Sequence, residues 1–394
     1  MDVVDAWASL PPDLLLDIFL RLEAAAALRC TGVCKHWRRA IISNAASCLR
    51  PRRVDDCFVP GLLLGFFHNH LDTHTGRRHV MLQRLPGPSA ARFPAASSLV
   101  HGDATDLAPY DELLSCRDGL VLLGGGRAAA QGLCLCSLMT GDRKFIPAAA
   151  FRACTYVLLT AYDLTASDAR GGGGGGGEEL EALILAVKEK DVGGGVTYQT
   201  FSTRDGAWGE VTRSPRFGHV TRIYTGSEVI CRGGAVHWLA MGDHAGMVER
   251  TVAVDVRTGR TWVTALPEGC GELDCYGGLH DSPLRLATSG DGRLSVVRSF
   301  GGGAVEVWVL AGGDGWSLRR TIKAPCCGGE VWFSAFCPRS GCLLGQVGDK
   351  EIIVDAERGS CCLIGSVDDT TNHGRCLYPY EMDWSTYLAK MKHF

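Results

Sequence analysis

The sequence lacks a dominant charge. Its 394 residues carry a formal net charge of -3, so no broad basic surface is offered and nucleic acid is not an expected partner. It also lacks a long hydrophobic run. Stretches such as Leu62 to Phe67 are strand-sized, well short of the roughly 18 apolar residues of a membrane span, so no membrane partner is expected. Met1 to Ala8 hold acids and no apolar core, which predicts no secretory leader. With 18 cysteines and no leader, the expectation is a reducing, cytoplasmic and/or nuclear setting, with thiols acting as small buried hydrophobes.

Catalytic and metal signatures are missing too. Cys134 and Cys136 lie two apart, and Cys326-Cys327 and Cys361-Cys362 are adjacent. None has the Cys-x-x-Cys spacing of zinc or redox motifs. No Gly-x-Ser-x-Gly elbow appears, and no spacing assembles a Ser-His-Asp triad. The run Gly171 to Gly177 is followed by no Lys-Ser or Lys-Thr, so it fails as a phosphate loop. Seven consecutive glycines are entropically costly to fix, which predicts a disordered excursion over 166–180.

Glycine is what the chain has in abundance: 51 residues, close to twice the usual share of about 7%. From about residue 57 short apolar runs alternate with turn glycines, the pattern of strands and tight hairpins. One half-unit is a turn glycine before an apolar strand, at Gly119-Leu120, Gly234-Ala235, Gly292-Arg293 and Gly341-Cys342. The other places glycine after a polar turn, at Gly141, Gly259 and Gly359, with Gly315 in the equivalent place. The halves are paired 22, 25, 23 and 18 residues apart, and each pair can hold two hairpins. Gly234 to Gly292 is 58 residues, Gly292 to Gly341 is 49, and Gly119 to Gly234 is 115, room for an extra unit. That unit is filled by Leu183 to Val187, Tyr198 to Phe201 and Asp205 to Trp208. A first unit fits around Leu62 to Phe67 and Val80 to Leu82. Six four-stranded units predict a β-propeller, with seven as the alternative count. No WD dipeptide closes the blades, which favours a kelch-like repeat. A sandwich or two β domains would explain the strands but not the paired spacing.

The first fifty residues read differently. Leu14, Leu15, Ile18, Phe19 and Leu22 recur at helical spacing. Ser9 can cap this helix, Pro12 suits its first turn, and Asp13 suits its positive end. A short run from Ala24 to Cys30 precedes Gly32, and a third helix begins near Val33 with Val33, Trp37, Ala40 and Ile41 on one face. Three short helices cannot build a self-sufficient core, and no zinc-type spacing supports them, so a protein partner is the economical reading.

This stretch resembles an F-box, on Leu10-Pro11, Leu14-Leu15, Ile18-Phe19 and Val33-Cys34-Lys35-His36-Trp37-Arg38. Its middle run departs from the pattern by holding Ala24 to Ala27. The region behind it is similar to the F-box-associated, kelch-like domain of plant F-box proteins, in its blade pattern and in the ending Tyr378-Pro379-Tyr380-Glu381-Met382-Asp383-Trp384. The expected organisation is an all-α F-box of three helices over 1–50, a linker over 51–56 containing basic Arg52-Arg53, and an all-β propeller over 57–394.

The resemblance implies a non-catalytic, substrate-recognition subunit of a Skp-cullin-F-box ubiquitin ligase. The head would dock a Skp-family adaptor, and through it cullin and RING subunits, while the propeller holds an unknown target protein. Leu10, Pro11, Leu14, Leu15, Ile18, Leu22, Val33, Cys34 and Trp37 are the expected adaptor-binding residues or their immediate support; the sequence does not sort the two roles. No cofactor is implied. The alternative is a kelch-type enzyme or sugar-binding propeller with an incidental helical appendage. Its chemistry would rest on the histidine cluster His68, His70, His74 and His79, for which a polar hairpin at the rim is the plainer reading. Of Trp208, Trp238, Trp262, Trp308, Trp316, Trp332 and Trp384, most should pack blades and a few could anchor a target.

Overall fold

The computed structural model describes residues 10–22, 30–31, 33–44, 63–71, 78–84, 110–125, 132–137, 141–164, 182–189, 195–242, 247–270, 282–312, 315–324, 329–366 and 376–381. A small helical head precedes an all-β ring of six blades. The expectations for Ala24 to Ala27, for the linker over 51–56, for 166–180 and for Trp384 lie outside the described residues.

In the head, α1 spans Pro12–Phe19 and α2 spans Lys35–Ser43. Pro12 occupies the first helical turn, where a missing N–H costs nothing, and Asp13 lies in the same turn. The N-cap is Pro11, not Ser9, so α1 has no side-chain cap. The helix stops at Phe19, and the chain to Leu22 tightens into turns, with Arg21 donating to the Ile18 carbonyl at 3.0 Å and Leu22 to the Phe19 carbonyl at 3.2 Å.

The blades follow in order. The strands β1 (Leu63–Leu71) and β2 (Arg78–Arg84) belong to blade 1. Blade 2 holds β3 (Glu112–Arg117), β4 (Leu120–Gly124), β5 (Leu133–Ser137) and β6 (Arg143–Ile146). In blade 3, β7 (Thr155–Thr160) is followed by the one-turn α3 (Ala161–Leu164), then β8 (Ala182–Glu189), β9 (Val196–Ser202), β10 (Ala207–Trp208) and β11 (Thr212–Arg213). Blade 4 comprises β12 (Arg222–Ile223), β13 (Val229–Cys231), β14 (Ala235–Met241), β15 (Val248–Asp255) and β16 (Thr261–Ala265). Blade 5 runs from β17 (Leu284–Thr288) through β18 (Leu294–Phe300) and β19 (Ala304–Leu310) to β20 (Trp316–Lys323). Blade 6 runs from β21 (Trp332–Cys337) through β22 (Cys342–Val347) and β23 (Lys350–Asp355) to β24 (Ser360–Ser366). The last strand, β25 (Leu377–Glu381), returns to pair with β1, so blade 1 is built from both ends of the ring.

The expected turn glycines do the folding work. Gly119, Gly292 and Gly341 sit between the first and second strands of their blades and Gly234 between β13 and β14, while Gly141, Gly315 and Gly359 sit between the third and fourth strands and Gly259 between β15 and β16. One turn recurs in four blades: a Ser or Asp four residues before a glycine. The glycine N–H donates to that residue's carbonyl at 2.8 Å for Gly141 to Ser137, and at 2.9 Å for Gly206 to Ser202, Gly259 to Asp255 and Gly359 to Asp355. Each of these glycines has φ between 68° and 75°, the left-handed region that a Cβ disfavours. Asp255 adds a side-chain cap, accepting from the Arg257 N–H at 2.8 Å. Asp355 does the same for Arg358 at 2.8 Å.

Apolar side chains fill the spaces between blades. Phe67, Val80, Leu113, Leu123 and Tyr380 join blades 1 and 2, and Leu122, Leu135, Leu158, Ile184 and Phe201 join blades 2 and 3. Trp238 is fully buried between blades 3 and 4. Two tryptophans also latch across a seam: Trp208 Nε1 donates to the Pro147 carbonyl at 2.8 Å and Trp316 Nε1 to the Ala265 carbonyl at 2.7 Å. Every adjacent pair of blades shares a hydrogen bond. These include Asn69 with Leu113, Leu158 with Ser115, Tyr198 with Gly259, Arg285 with Gly226, Val331 with Ser299, and Ser340 with Glu381.

Candidate functional site

The head has a core and a bare face. Leu15, Phe19, Ile41 and Ile42 are buried together, with Leu10, Leu16, Leu20, Leu22, Cys30, Trp37 and Ala40 packed around them. Phe19 and Trp37 meet edge to face, ring centroids 5.4 Å apart. Cys34 is the N-cap of α2: its sulfur accepts the Trp37 N–H at 3.4 Å. Arg38 Nε donates to the Thr31 carbonyl at 2.9 Å, holding the entry to α2.

These contacts sort the nine residues singled out from the sequence. Leu15 is buried, and Leu10, Leu22 and Trp37 pack on the core. Cys34 caps a helix. Leu14, Ile18 and Val33 are 53%, 37% and 63% exposed, and Pro11 is exposed beside them in sequence. Leu14 and Ile18 are one helical turn apart, so they share a face of α1. The third helix is expected to begin near Val33, with Val33 on one face with Trp37, Ala40 and Ile41; it begins instead two residues later, at Lys35, so Val33 precedes α2 and faces solvent. Leu14 and Ile18 therefore present apolar surface on one side of α1, and Val33 presents it at the entry to α2.

The ring offers a second place of interest. Its six inner strands enclose an axial cavity of about 90 Å³. One end of the axis is closed by charges that the sequence reading missed. Arg339 and Asp118 form a two-pronged ion pair, and Arg339 also reaches Asp163 at 3.6 Å and lies 3.6 Å from the centre of the Tyr162 ring. Arg117 Nε donates to Asp163 at 2.7 Å. Glu381 accepts the Ser340 N–H at 2.7 Å and the Arg339 N–H at 3.0 Å. Blades 1, 2, 3 and 6 are thereby tied together.

Burial opposes the charge of Asp118, but the Arg339 guanidinium outweighs it and holds that carboxyl below its usual range. For Glu381 burial wins, and its pKa is raised despite its backbone donors. A signal for this cluster was present: Arg117-Asp118 and Arg339-Ser340 interrupt apolar runs next to Gly119 and Gly341. What the sequence could not give is that residues over two hundred positions apart would meet.

The histidines are partly united. His70 pairs with His79 across β1 and β2, and His68 lies on the same face two residues along. His74 is outside the described residues. Among the described residues no group of three or more His, Cys, Asp or Glu side chains is placed to hold a metal ion. Cys134 and Cys136 are buried, with sulfurs 3.5 Å apart, and the described cysteines are free thiols. Of the described tryptophans, Trp332 is the exposed one, at 44%.

Two family models match the sequence. An F-box-like model covers residues 7–46. A model described as a domain of unknown function, DUF7595, covers residues 82–394. The chain belongs to the DUF7595 family. In this DUF7595 protein the matched region takes in blades 2 to 6 and the returning strand β25. No curated protein matches the sequence.

Among solved structures, the chain is similar to an oligogalacturonate lyase in complex with manganese, at 10% identity, TM-score 0.36, covering 66% of this chain and 65% of that one. It is similar to a chain of a mitotic checkpoint complex at 12% identity and TM-score 0.32, covering 66% and 64%. It is also similar to a protein from Lactobacillus plantarum at 12% identity and TM-score 0.31, covering 78% and 96%. The chain thus spans just under two thirds of the first two. Likeness at this level transfers no function. No helix among the described residues is long and apolar enough to cross a membrane.

Proposed function

We propose that this DUF7595 protein is a substrate-recognition subunit of a Skp-cullin-F-box type ubiquitin ligase. An F-box-like head followed by a β-propeller fits that class of adaptor in general. The head, within 1–50, docks a Skp-family adaptor and through it the cullin and RING subunits. The kelch-like ring, within 57–394, holds a target protein. The chain supplies no catalytic group in this reading. It accelerates transfer by tethering the target, which raises effective concentration and orients its lysines.

The observation that carries the reading is the exposure of the apolar side chains Leu14, Ile18 and Val33 on a head whose core is four buried side chains. A small domain that leaves apolar side chains bare gains more from a partner than from its own packing. Pro11, Leu14, Ile18 and Val33 are assigned to the adaptor contact. Leu10, Leu15, Leu22, Cys34 and Trp37 are assigned to its support.

The test is co-expression of the full chain with a Skp-family adaptor, followed by affinity capture on the chain. Stoichiometric adaptor is expected with the natural chain and loss of it with Leu14→Ala/Ile18→Ala. Equal recovery of adaptor with both chains overturns the assignment.

A further inference from the structure

Blades 2, 5 and 6 are antiparallel meanders, and β7 to β10 and β13 to β16 form meanders in blades 3 and 4, so in these five the first and third turns lie at one end of the ring and the middle turn and exit connection at the other. At the first end some arginines have acids and some do not. Arg293 pairs with Asp291 at 2.7 Å, Arg319 with Glu357 at 2.9 Å, and Arg117 and Arg339 with buried aspartates, whereas Arg204 and Arg260 are exposed in their turns. At the opposite end of blade 3 two cations fall in one cross-strand row. Lys188 of β8 is opposite Thr197 of β9, and Thr197 is opposite Arg213 of β11. These three residues form one row across the sheet, so their side chains leave it on the same face.

The connection from blade 2 lies along that face. The Ala150 N–H donates to Gln199 Oε1 at 3.0 Å, and the Cys154 N–H donates to the Val187 carbonyl at 2.8 Å. Gln199 is two residues from Thr197 and shares its face, while Val187 adjoins Lys188. Arg152 lies between these two anchor points and is therefore beside the row. Arg152, Lys188 and Arg213 are all exposed, and none is engaged by a hydrogen bond or ion pair among the described residues. The connection that leaves blade 3, Gly209 to Arg222, adds Arg216 and Arg222 and carries Glu210 as its single acid. The side chain of Val211, in the same connection, is 41% exposed.

A chain with a net charge of -3 thus sets three exposed cations, Arg152, Lys188 and Arg213, along one seam with no ion pair among the described residues, while in the sequence Glu189 and Asp191 alternate with Lys188 and Lys190 where β8 ends. Like charges in one row do not help the sheet, so their arrangement serves contact with an anionic partner. We propose that Arg152, Lys188 and Arg213, at the seam of blades 2 and 3, form the surface on which the ring receives an acidic segment of its target protein. This rests on the substrate-receptor reading and specifies the chemistry of what is received. An extended chain rich in Asp and Glu fits a row of this kind: carboxylates along one side can meet the guanidinium groups, and apolar side chains can cover Val211.

The test uses the full chain and a fluorescein-labelled peptide of alternating Asp and Glu, with an all-Lys peptide and an oligothymidylate as comparators, read by fluorescence anisotropy. Binding of the acidic peptide is expected to weaken with salt. It is expected to fall at least tenfold in Arg152→Glu/Lys188→Glu/Arg213→Glu. The same number of reversals at the other end of blades 3 and 4, Arg204→Glu/Arg257→Glu/Arg260→Glu, is expected to leave it within twofold and guards against a general charge effect. Equal binding by the natural chain and the first variant overturns the proposal, as does equal loss in both variants. Tighter, row-dependent binding of the oligothymidylate replaces the protein segment with nucleic acid and also overturns it. Adaptor capture is read separately, so failure here leaves the head's assignment standing and failure there leaves this one.

Discussion

The head and the ring treat apolar surface in opposite ways. The ring buries it, with Trp238, Phe66, Phe67, Phe201 and Phe333 all but sealed from solvent and each seam filled from two sides. The head seals Leu15, Phe19 and Ile41 but leaves Leu14, Ile18 and Val33 bare within a few residues of them. The ring closes on itself, β25 pairing with β1, so its inner strands need nothing further. The head has no such closure. On the proposed reading the ring is the scaffold and the head is the part that a partner completes.

The contrast can be broken most forcefully at α1. Covering a leucine is worth roughly 1.5 to 3 kcal/mol, so Leu14→Ala/Ile18→Ala is expected to weaken adaptor binding about a hundredfold or more by calorimetry. The circular dichroism of the ring should not change. Leu15→Ala in the same helix is expected instead to destabilise the head by about 2 to 5 kcal/mol, seen as lost helical signal. If the exposed and buried leucines gave the same result, the sorting of the head into face and core would fail.

A comparable loss in the ring is expected at its charged closure. Arg339→Ala leaves Asp118 buried without its partner, which costs about 3 to 5 kcal/mol and should lower the urea midpoint of the ring without touching adaptor capture. Protonation offers a milder probe. His237 is buried against Trp262, and burial pulls its pKa down to about 4. The unfolded chain binds a proton near pH 6.5, so stability should fall as pH drops from about 6.5 towards 4, by roughly 3 kcal/mol at the lower limit. His237→Leu should flatten the melting temperature between pH 6.5 and 4.5; an unchanged slope would mean other groups carry it. The smallest effect is expected at Gly206. No atom lies within 4 Å of a Cβ placed there, but its φ of 68° is left-handed. Gly206→Ala should therefore cost about 1 kcal/mol, through backbone strain alone.

Much of this architecture was legible because its signals are local. A glycine at the end of Ser137 to Gly141 or Asp355 to Gly359 must adopt a left-handed conformation to close its hairpin, and five residues suffice to say so. Paired turn glycines marked four blades, and the gap between Gly119 and Gly234 and the apolar runs before Gly119 supplied the other two, with seven as the alternative count. The F-box resemblance was likewise carried by neighbours one or two helical turns apart. What stayed hidden is set by distance along the chain. The first strand of blade 3, Thr155 to Thr160, has no turn glycine to announce it. The meeting of Arg339 with Asp118, and of Glu381 with Ser340, depends on ring closure. The division of nine head residues into core and face depends on how α1 lies on α2; periodicity alone showed an apolar zone wider than one stripe.

Hydrogen exchange on the full chain, with and without a Skp-family adaptor, addresses the central claim most directly. Strong new protection over 11–22 and 33–43 is expected when the adaptor is added, with exchange in the six blades unaltered. Protection confined to the blades, or none in the head at saturating adaptor, would contradict it.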